Sequence, residues 1–257
     1  MEPVSIVIPV RIDSPEREAN LRATLRYLLQ TSVAEIDILE ADRERHFFFE
    51  PHDRIRYRFV PDPEPVFYRT RYLNILLKEA RRETVGIWDT DVLIPEPQLR
   101  EAAALIRQGC VMCFPYDGDF RFLSPDESDR VRADLSALRP GQGIRAIGRP
   151  SVGGAFLVDR TRYLQAGGEN EGFYGWGPED AERVRRLEIL ELPVARIPGS
   201  LYHLHHPRVP DTAVETDALA KTLHNQKVLL HTCAQSKSGL WELLEKRKGI
   251  FGYMEEF

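Results

Sequence analysis

Thr84-Val85-Gly86-Ile87-Trp88-Asp89-Thr90-Asp91-Val92-Leu93-Ile94-Pro95 decides how this chain is read. An apolar run, two carboxylates one residue apart and a second apolar run ending in proline follow one another directly. A short apolar run bounded by turn residues reads as a buried strand. Side chains alternate faces along a strand, so Asp89 and Asp91 are expected to point one way and Thr90 the other. Two carboxylates at a strand exit need positive charge between them. A divalent cation carrying a diphosphate supplies it, because hard cations take oxygen ligands and are shared between carboxylates and substrate phosphates. A solvated loop is the plainer reading of the same residues.

Upstream, Val4-Ser5-Ile6-Val7-Ile8-Pro9 is a near-continuous apolar run, as expected of a strand buried on both faces of a parallel sheet. Ser14-Pro15-Glu16 reads as an N-cap, a first-position proline and an acid in the first turn of a helix striped by Leu21, Leu25, Leu28 and Leu29. Ile36–Glu40 and the alternating Ile55, Tyr57 and Phe59 read as strands, and Leu73, Leu76 and Ala80 stripe a helix from about Thr70. Leu99, Ala103 and Ile106 mark another helix, and Cys110–Phe114 another strand. Strand and helix alternate at βαβ spacing, which predicts an α/β fold with a mostly parallel, doubly wound central sheet flanked by helices. Ligands in such sheets bind beyond the carboxyl ends of the strands. Arg11, Glu40, Asp42, Asp89 and Asp91 all fall there, as one shared site would require.

Composition narrows the class. The 257 residues are 42% hydrophobic and 29% charged with a net charge of −5, enough for one large α/β domain or two small ones. The arginines are interleaved with acids, so a nucleic-acid footprint is not expected. No run approaches the roughly 20 apolar residues of a membrane span. The N-terminus lacks the basic start of a signal peptide, so a cytoplasmic location is the expectation. Cys110 and Cys113 sit in an apolar run with no second thiol pair, which reads as core packing rather than a zinc site.

Residues 116–150 break the pattern. Ser124-Pro125-Asp126 caps a short helix to about Leu138, Pro140-Gly141-Gln142-Gly143 ends it, and the stretch reads as a long excursion or mobile flap. Gly153-Gly154 then opens a strand, where backbone approaches something closely or a bulge forms. Phe173-Tyr174-Gly175-Trp176-Gly177-Pro178-Glu179-Asp180 follows. Pro178 suits a helix start, with Glu179 and Asp180 in the first turn and Val184 and Leu187 in the buried stripe. The acids there either charge the helix end or serve chemistry, an indole offering its face to a sugar and a carboxylate acting as general base. His203-Leu204-His205-His206 follows a strand at Val194–Ile197. Imidazoles are frequent transition-metal ligands. In an extended stretch His203 and His205 share a face, whereas a turn at Leu204 brings His203 to His206. The tail from Ala213 to about His231, and again from Leu240 to Lys246, reads as helical.

In this order the motifs resemble those of the metal-dependent inverting glycosyltransferases of the GT-A fold, nearest to the β-1,4-galactosyltransferase and chondroitin-polymerase-like type. The likeness runs from Val4 to about Arg208. Ile8-Pro9-Val10-Arg11 resembles the first strand with its Pro-x-Arg end, Phe67-Tyr68-Arg69-Thr70 with Asn74 the Phe-Asn-Arg-Ala helix start, and Trp88–Pro95 the Asp-Val-Asp-Leu-Ile-Pro element. Gly153-Gly154 resembles the Gly-Gly strand, Gly175–Asp180 the Gly-Trp-Gly-Gly-Glu-Asp element, and His203–His206 the metal histidine.

The resemblance implies a single domain over 1–257: a nucleotide-binding half at 1–115, the excursion at 116–150, an acceptor and metal half at 151–210, and helical additions at 211–257. It implies Mn²⁺, or Mg²⁺, bound by Asp91 and His203 with His205 or His206. Pro9, Val10, Arg11, Asp42, Arg69, Asp89, Gly153, Gly154 and Trp176 would line a UDP-sugar, favouring galactose or N-acetylgalactosamine. Glu179 would hold a glycan or other hydroxyl acceptor, and Asp180 would take its proton. Pro178 and Ala181 depart from the motif, which has glycine and a third acid there. Phe47-Phe48-Phe49 has no counterpart. The missing membrane anchor of eukaryotic members suggests a bacterial soluble enzyme. A nucleotidyltransferase would want a glycine-rich loop after the first strand, where this chain has Pro9-Val10-Arg11-Ile12-Asp13. A nucleotide-binding scaffold without turnover is the other alternative.

Overall fold

The computed structural model describes residues 4–148, 150–173, 175, 177–207 and 215–251. Its first half runs β1 (Ser5–Val10), α1 (Pro15–Leu29), β2 (Glu35–Asp42), β3 (Ile55–Pro61), α2 (Arg69–Glu79), β4 (Thr84–Trp88), β5 (Val92–Leu93), α3 (Glu96–Arg107) and β6 (Met112–Phe114). Then come β7 (Asp119–Phe122), α4 (Pro125–Ala133), β8 (Ile144–Arg145), β9 (Ala155–Asp159), α5 (Arg160–Gln165) and α6 (Glu179–Ile189). β10 (Val194–Arg196), β11 (Ser200–His203), α7 (Glu215–Cys233) and α8 (Lys237–Phe251) complete it.

A seven-stranded sheet in the order β10-β6-β9-β4-β1-β2-β3 forms the centre. Neighbours are parallel except β9, which runs antiparallel to β4 and β6. Ile6, Val7, Ile8 and Val10 of β1 are buried, each contributing about 1.5–3 kcal/mol by leaving water. α1 starts where Ser14 accepts from the Arg17 amide, with Pro15 next, and buries Leu21, Leu25 and Leu28.

Two readings change at this level. β4 ends at Trp88, so Asp89-Thr90-Asp91 is a turn into β5 and strand alternation does not govern the two carboxylates. The stretch read as an excursion is built into a second sheet, β5-β11-β7-β8. Ser124 starts α4 there with a capping box, exchanging hydrogen bonds with Glu127. β11 runs antiparallel to β5 and parallel to β7, with Tyr202 opposite Leu93 and His203 opposite both Val92 and Phe122. The ladder continues past His203, where the Leu204 amide donates to the Asp91 carbonyl at 2.8 Å. A slip of one residue would turn every β11 side chain to the other face, so this register is what sets the histidines against the acidic turn.

Candidate active site

Asp91, His203 and His206 converge. Their ligand atoms all lie within 4.8 Å of one another. His203 Nε2 is 3.4 Å from Asp91 Oδ1, and His206 Nε2 is 3.3 Å from Asp91 Oδ2. The chain turns at the buried Leu204, which brings His206 beside His203, ring centroids 5.4 Å apart. His205 is not in this group; its amide donates to Ser128 Oγ at 2.8 Å, and its carbonyl accepts from Asn20 and Arg132. Phe120 and Phe122 each place a ring 5.5 Å from that of His203. One carboxylate and two imidazoles, with neither ring walled off from solvent, suit a divalent transition ion that keeps positions open for a ligand. Two nitrogen donors favour Mn²⁺ over Mg²⁺, which prefers an all-oxygen shell.

Asp89 turns elsewhere. Its amide donates to the Gly154 carbonyl at 2.9 Å, and its carboxylate accepts from Arg69 Nη2 at 2.5 Å. Arg69 opens α2. Burial works against its charge, yet Asp89 and then Asp180 outweigh that and raise its pKa. Gly154 has φ +83°, and a Cβ there would lie 2.8 Å from Leu201 and 3.1 Å from Phe120, so glycine is required by both conformation and space. Gly153 gives its carbonyl to the Tyr116 hydroxyl at 2.6 Å. A Cβ on Gly153 would come within 2.6 Å of Asp180 Oδ2. The glycine pair therefore lies between the acidic turn and α6, with Asp89 on one side and Asp180 on the other.

Glu179 and Asp180 occupy the first turn of α6 as expected. Asp180 Oδ1 accepts from Arg183 at 2.7 Å. Glu179 is buried, and its Oε2 has no hydrogen-bond partner among the described residues. Burial, reinforced by Asp180, pushes the Glu179 carboxyl up to about 7. Such a group both donates and accepts near neutrality, and a substrate hydroxyl would satisfy it. Trp176 lies outside the described residues.

At the ends of β1 and β2, Arg11 is fully engaged. It donates to the carbonyls of Ala41 and Glu64 and to Asp62 Oδ2, each at 2.9 Å, and its guanidinium carbon stands 5.5 Å from the Phe67 ring centre. Asp42 lies 4.0 Å from Arg11 Nε and accepts from the Arg43 amide. Pro9 and Val10 are buried in β1, which leaves them only backbone to offer a ligand. Glu40, grouped with the site by position, is spent inside the fold on the His46 and Phe47 amides and the Tyr57 hydroxyl.

Three participants carry no sequence signal. Asp62 clamps Arg11 and the Tyr72 hydroxyl. Arg17 brings Nη1 to 3.7 Å from Asp91 Oδ2. Arg183 joins Asp180 to Glu169.

Known proteins bear on this arrangement. A sequence model of the family described as N-terminal domain of galactosyltransferase matches residues 142–207, which contain Gly153, Gly154, Glu179, Asp180, His203 and His206. No curated protein matches in sequence. Among solved structures, a variant of the Drosophila β1,4-galactosyltransferase 7 in complex with manganese, UDP-Gal and xylobiose aligns with a TM-score of 0.53 at 19% identity, over 86% of this chain and 80% of its own. Glucosyl-3-phosphoglycerate synthase from Mycobacterium tuberculosis, in complex with Mn²⁺, UDP and phosphoglyceric acid, aligns at 0.52 and 15% identity over 93% and 81%. GalNAc-T7 with UDP, GalNAc and Mn²⁺ aligns at 0.56 and 13% identity over 83% and 46%. The chain has the GT-A glycosyltransferase fold.

Proposed function

We propose that this chain is a metal-dependent inverting hexosyltransferase, one domain throughout, moving galactose or N-acetylgalactosamine from a UDP-sugar to a hydroxyl of a glycan or other acceptor. The observation that carries the reading is the meeting of Asp91, His203 and His206 beside the turn that also holds Asp89. Asp89-Thr90-Asp91 then serves as the Asp-x-Asp element. Asp91, His203 and His206 would hold Mn²⁺, which when bound supplies the positive charge that a departing diphosphate needs. His205 would stay outside the ligand set.

The chain's own residues do the rest. Arg11, Asp42 and the buried backbone of Pro9 and Val10 would border the nucleoside, and Arg69 would exchange part of its pairing with Asp89 for contacts to the donor. Gly153 and Gly154 would let the donor sugar lie against backbone. Glu179 would satisfy its buried oxygen on an acceptor hydroxyl, and Trp176 would cover the sugars. Asp180 Oδ2 would accept the proton of the attacking hydroxyl as the new glycosidic bond forms and UDP leaves with the electron pair of the broken one. Attack from the side opposite UDP inverts the anomeric carbon.

The test is a melting-temperature panel of nucleotides and UDP-sugars, each with Mn²⁺ and with EDTA, beside an assay of UDP release. A shift specific to UDP ligands and lost on chelation is expected. Asp180→Asn should abolish transfer and leave the UDP shift intact. No shift with any UDP ligand, or full transfer by Asp180→Asn, would overturn the assignment.

A further inference from the structure

The Asp180 carboxylate is held from behind by a buried fork. Arg183, one turn further along α6, donates Nη1 to Asp180 Oδ1 at 2.7 Å. Its other two donors go to Glu169, Nε to Oε1 at 3.0 Å and Nη2 to Oε2 at 2.7 Å. Arg183 and Glu169 side chains are each 1% exposed. Tyr163 donates its hydroxyl to Glu169 Oε1 at 2.6 Å, and the Phe156 ring lies under the guanidinium, 4.2 Å from its carbon. Burial alone would raise the Glu169 carboxyl, but Arg183 outweighs it and holds the group below the usual carboxylate range. The fork is thus charged on both sides and locked in plane, and a bidentate guanidinium–carboxylate pair fixes direction as well as charge.

What this does to Asp180 follows from which oxygen is left. Oδ1 is taken by Arg183. Oδ2 stands where a Cβ on Gly153 would come within 2.6 Å, so glycine at 153 leaves it room while the fork holds Oδ1. One oxygen is tied to a cation, and the other faces the glycine strand with no hydrogen bond to it among the described residues.

We propose that Arg183, anchored by Glu169, is a positioning residue for proton acceptance by Asp180: it aims Oδ2 at the acceptor hydroxyl. The proposal rests on the reading of Asp180 as the base. Arg183 touches no substrate in this scheme. It acts when the acceptor oxygen bonds to the anomeric carbon, its proton passes to Asp180 Oδ2 and UDP departs with the bonding pair.

The experiment compares Arg183→Lys, Asp180→Asn and the neutral pair Glu169→Gln with Arg183→Gln. Each is assayed for kcat and donor KM by UDP release, and for the melting shift with UDP and Mn²⁺. Lysine keeps the charge against Glu169 but cannot serve two carboxylates as a planar fork does. Misplacing a reacting group by about 1 Å costs on the order of 100-fold. Arg183→Lys is therefore expected to lose about 100-fold in kcat with donor KM and the UDP shift unchanged. The double glutamine variant leaves no unpaired charge in the buried fork, only the part-exposed Asp180 without its partner, so it keeps the fold and the UDP shift while losing a similar factor. Wild-type kcat in either variant, or a loss of kcat that comes with a lost UDP shift, overturns the proposal. Full transfer by Asp180→Asn instead overturns the reading beneath it, whatever Arg183→Lys does.

Discussion

Replacing Glu179 by glutamine should make the protein more stable at neutral pH. Glu179 is 8% exposed, and its Oε2 meets no hydrogen-bond partner among the described residues. Burial first, and Asp180 second, push its carboxyl from 4.5 up to about 7. In the unfolded chain the proton leaves near 4.5, whereas the folded chain keeps it until about 7. Between those values the folded state binds more protons, so the free energy of unfolding falls as pH rises. The stability is fully present below the unfolded value and is lost as pH climbs through the folded one. At 1.36 kcal/mol per pH unit, the whole loss is about 3 kcal/mol. Glutamine has nearly the same shape and no charge at any pH. Urea unfolding of the ligand-free protein at intervals from about pH 4 to about pH 8 reads the effect, taking the linear free-energy dependence on denaturant. The two proteins should agree near pH 4, below the unfolded value, and diverge until glutamine is ahead by about 3 kcal/mol near pH 8. Asp180→Asn removes only the second cause and should recover only part of the slope. Parallel stability curves for wild type and Glu179→Gln would refute the reasoning.

Asp91→Asn and His206→Ala should each weaken Mn²⁺ binding at least tenfold, about 1.4 kcal/mol, in a calorimetric titration, while His205→Ala should leave it near wild type. Gly154→Ala should lower the melting temperature, because φ +83° and a Leu201 carbon 2.8 Å away combine about 1–2 kcal/mol of backbone cost with a clash. Ser124→Ala should cost about 1 kcal/mol in chemical denaturation through loss of the α4 cap.

The central sheet was legible through the apolar runs of its middle strands, Ile6–Val10 in β1 and Val85–Trp88 in β4. β1, β2 and β4 are buried along nearly their full length, and a strand with two covered faces announces itself by composition. The start of α1 was legible in Ser14-Pro15-Glu16 for the same local reason, since capping is decided within one turn. The second sheet was not. β5 and β8 have two residues each, too few for a period, and β7 mixes Asp119 and Arg121 with Phe120 and Phe122. Its absence from the reading left open which histidines meet, because the answer lies in the pairing of β11 with β5. In α6 the sequence left the buried charges unread. Leu187 is buried as its stripe predicted, but so are Glu182, Arg183 and Arg186. Charged residues at helical spacing read as a solvated face unless their partners are known. Here the partners, Glu169 and the carbonyls of Ala166 and Gly168, come from the loop after α5.

The ladder joining β11 to β5 has a consequence for how the ion preference of such a protein could change. The backbone at Asp91 and His203 is pinned by strand pairing and by the Leu204 amide, so an incoming ion has little scaffold to reorganise. Preference then resides in the donor atoms themselves. A carboxylate in place of His206 would harden the set toward Mg²⁺ or Ca²⁺, and a thiolate would soften it toward Zn²⁺. In the proposed site, the mount at Asp91 and His203 would stay fixed while the contact at residue 206 is exchanged, so a single codon would be enough to retune it.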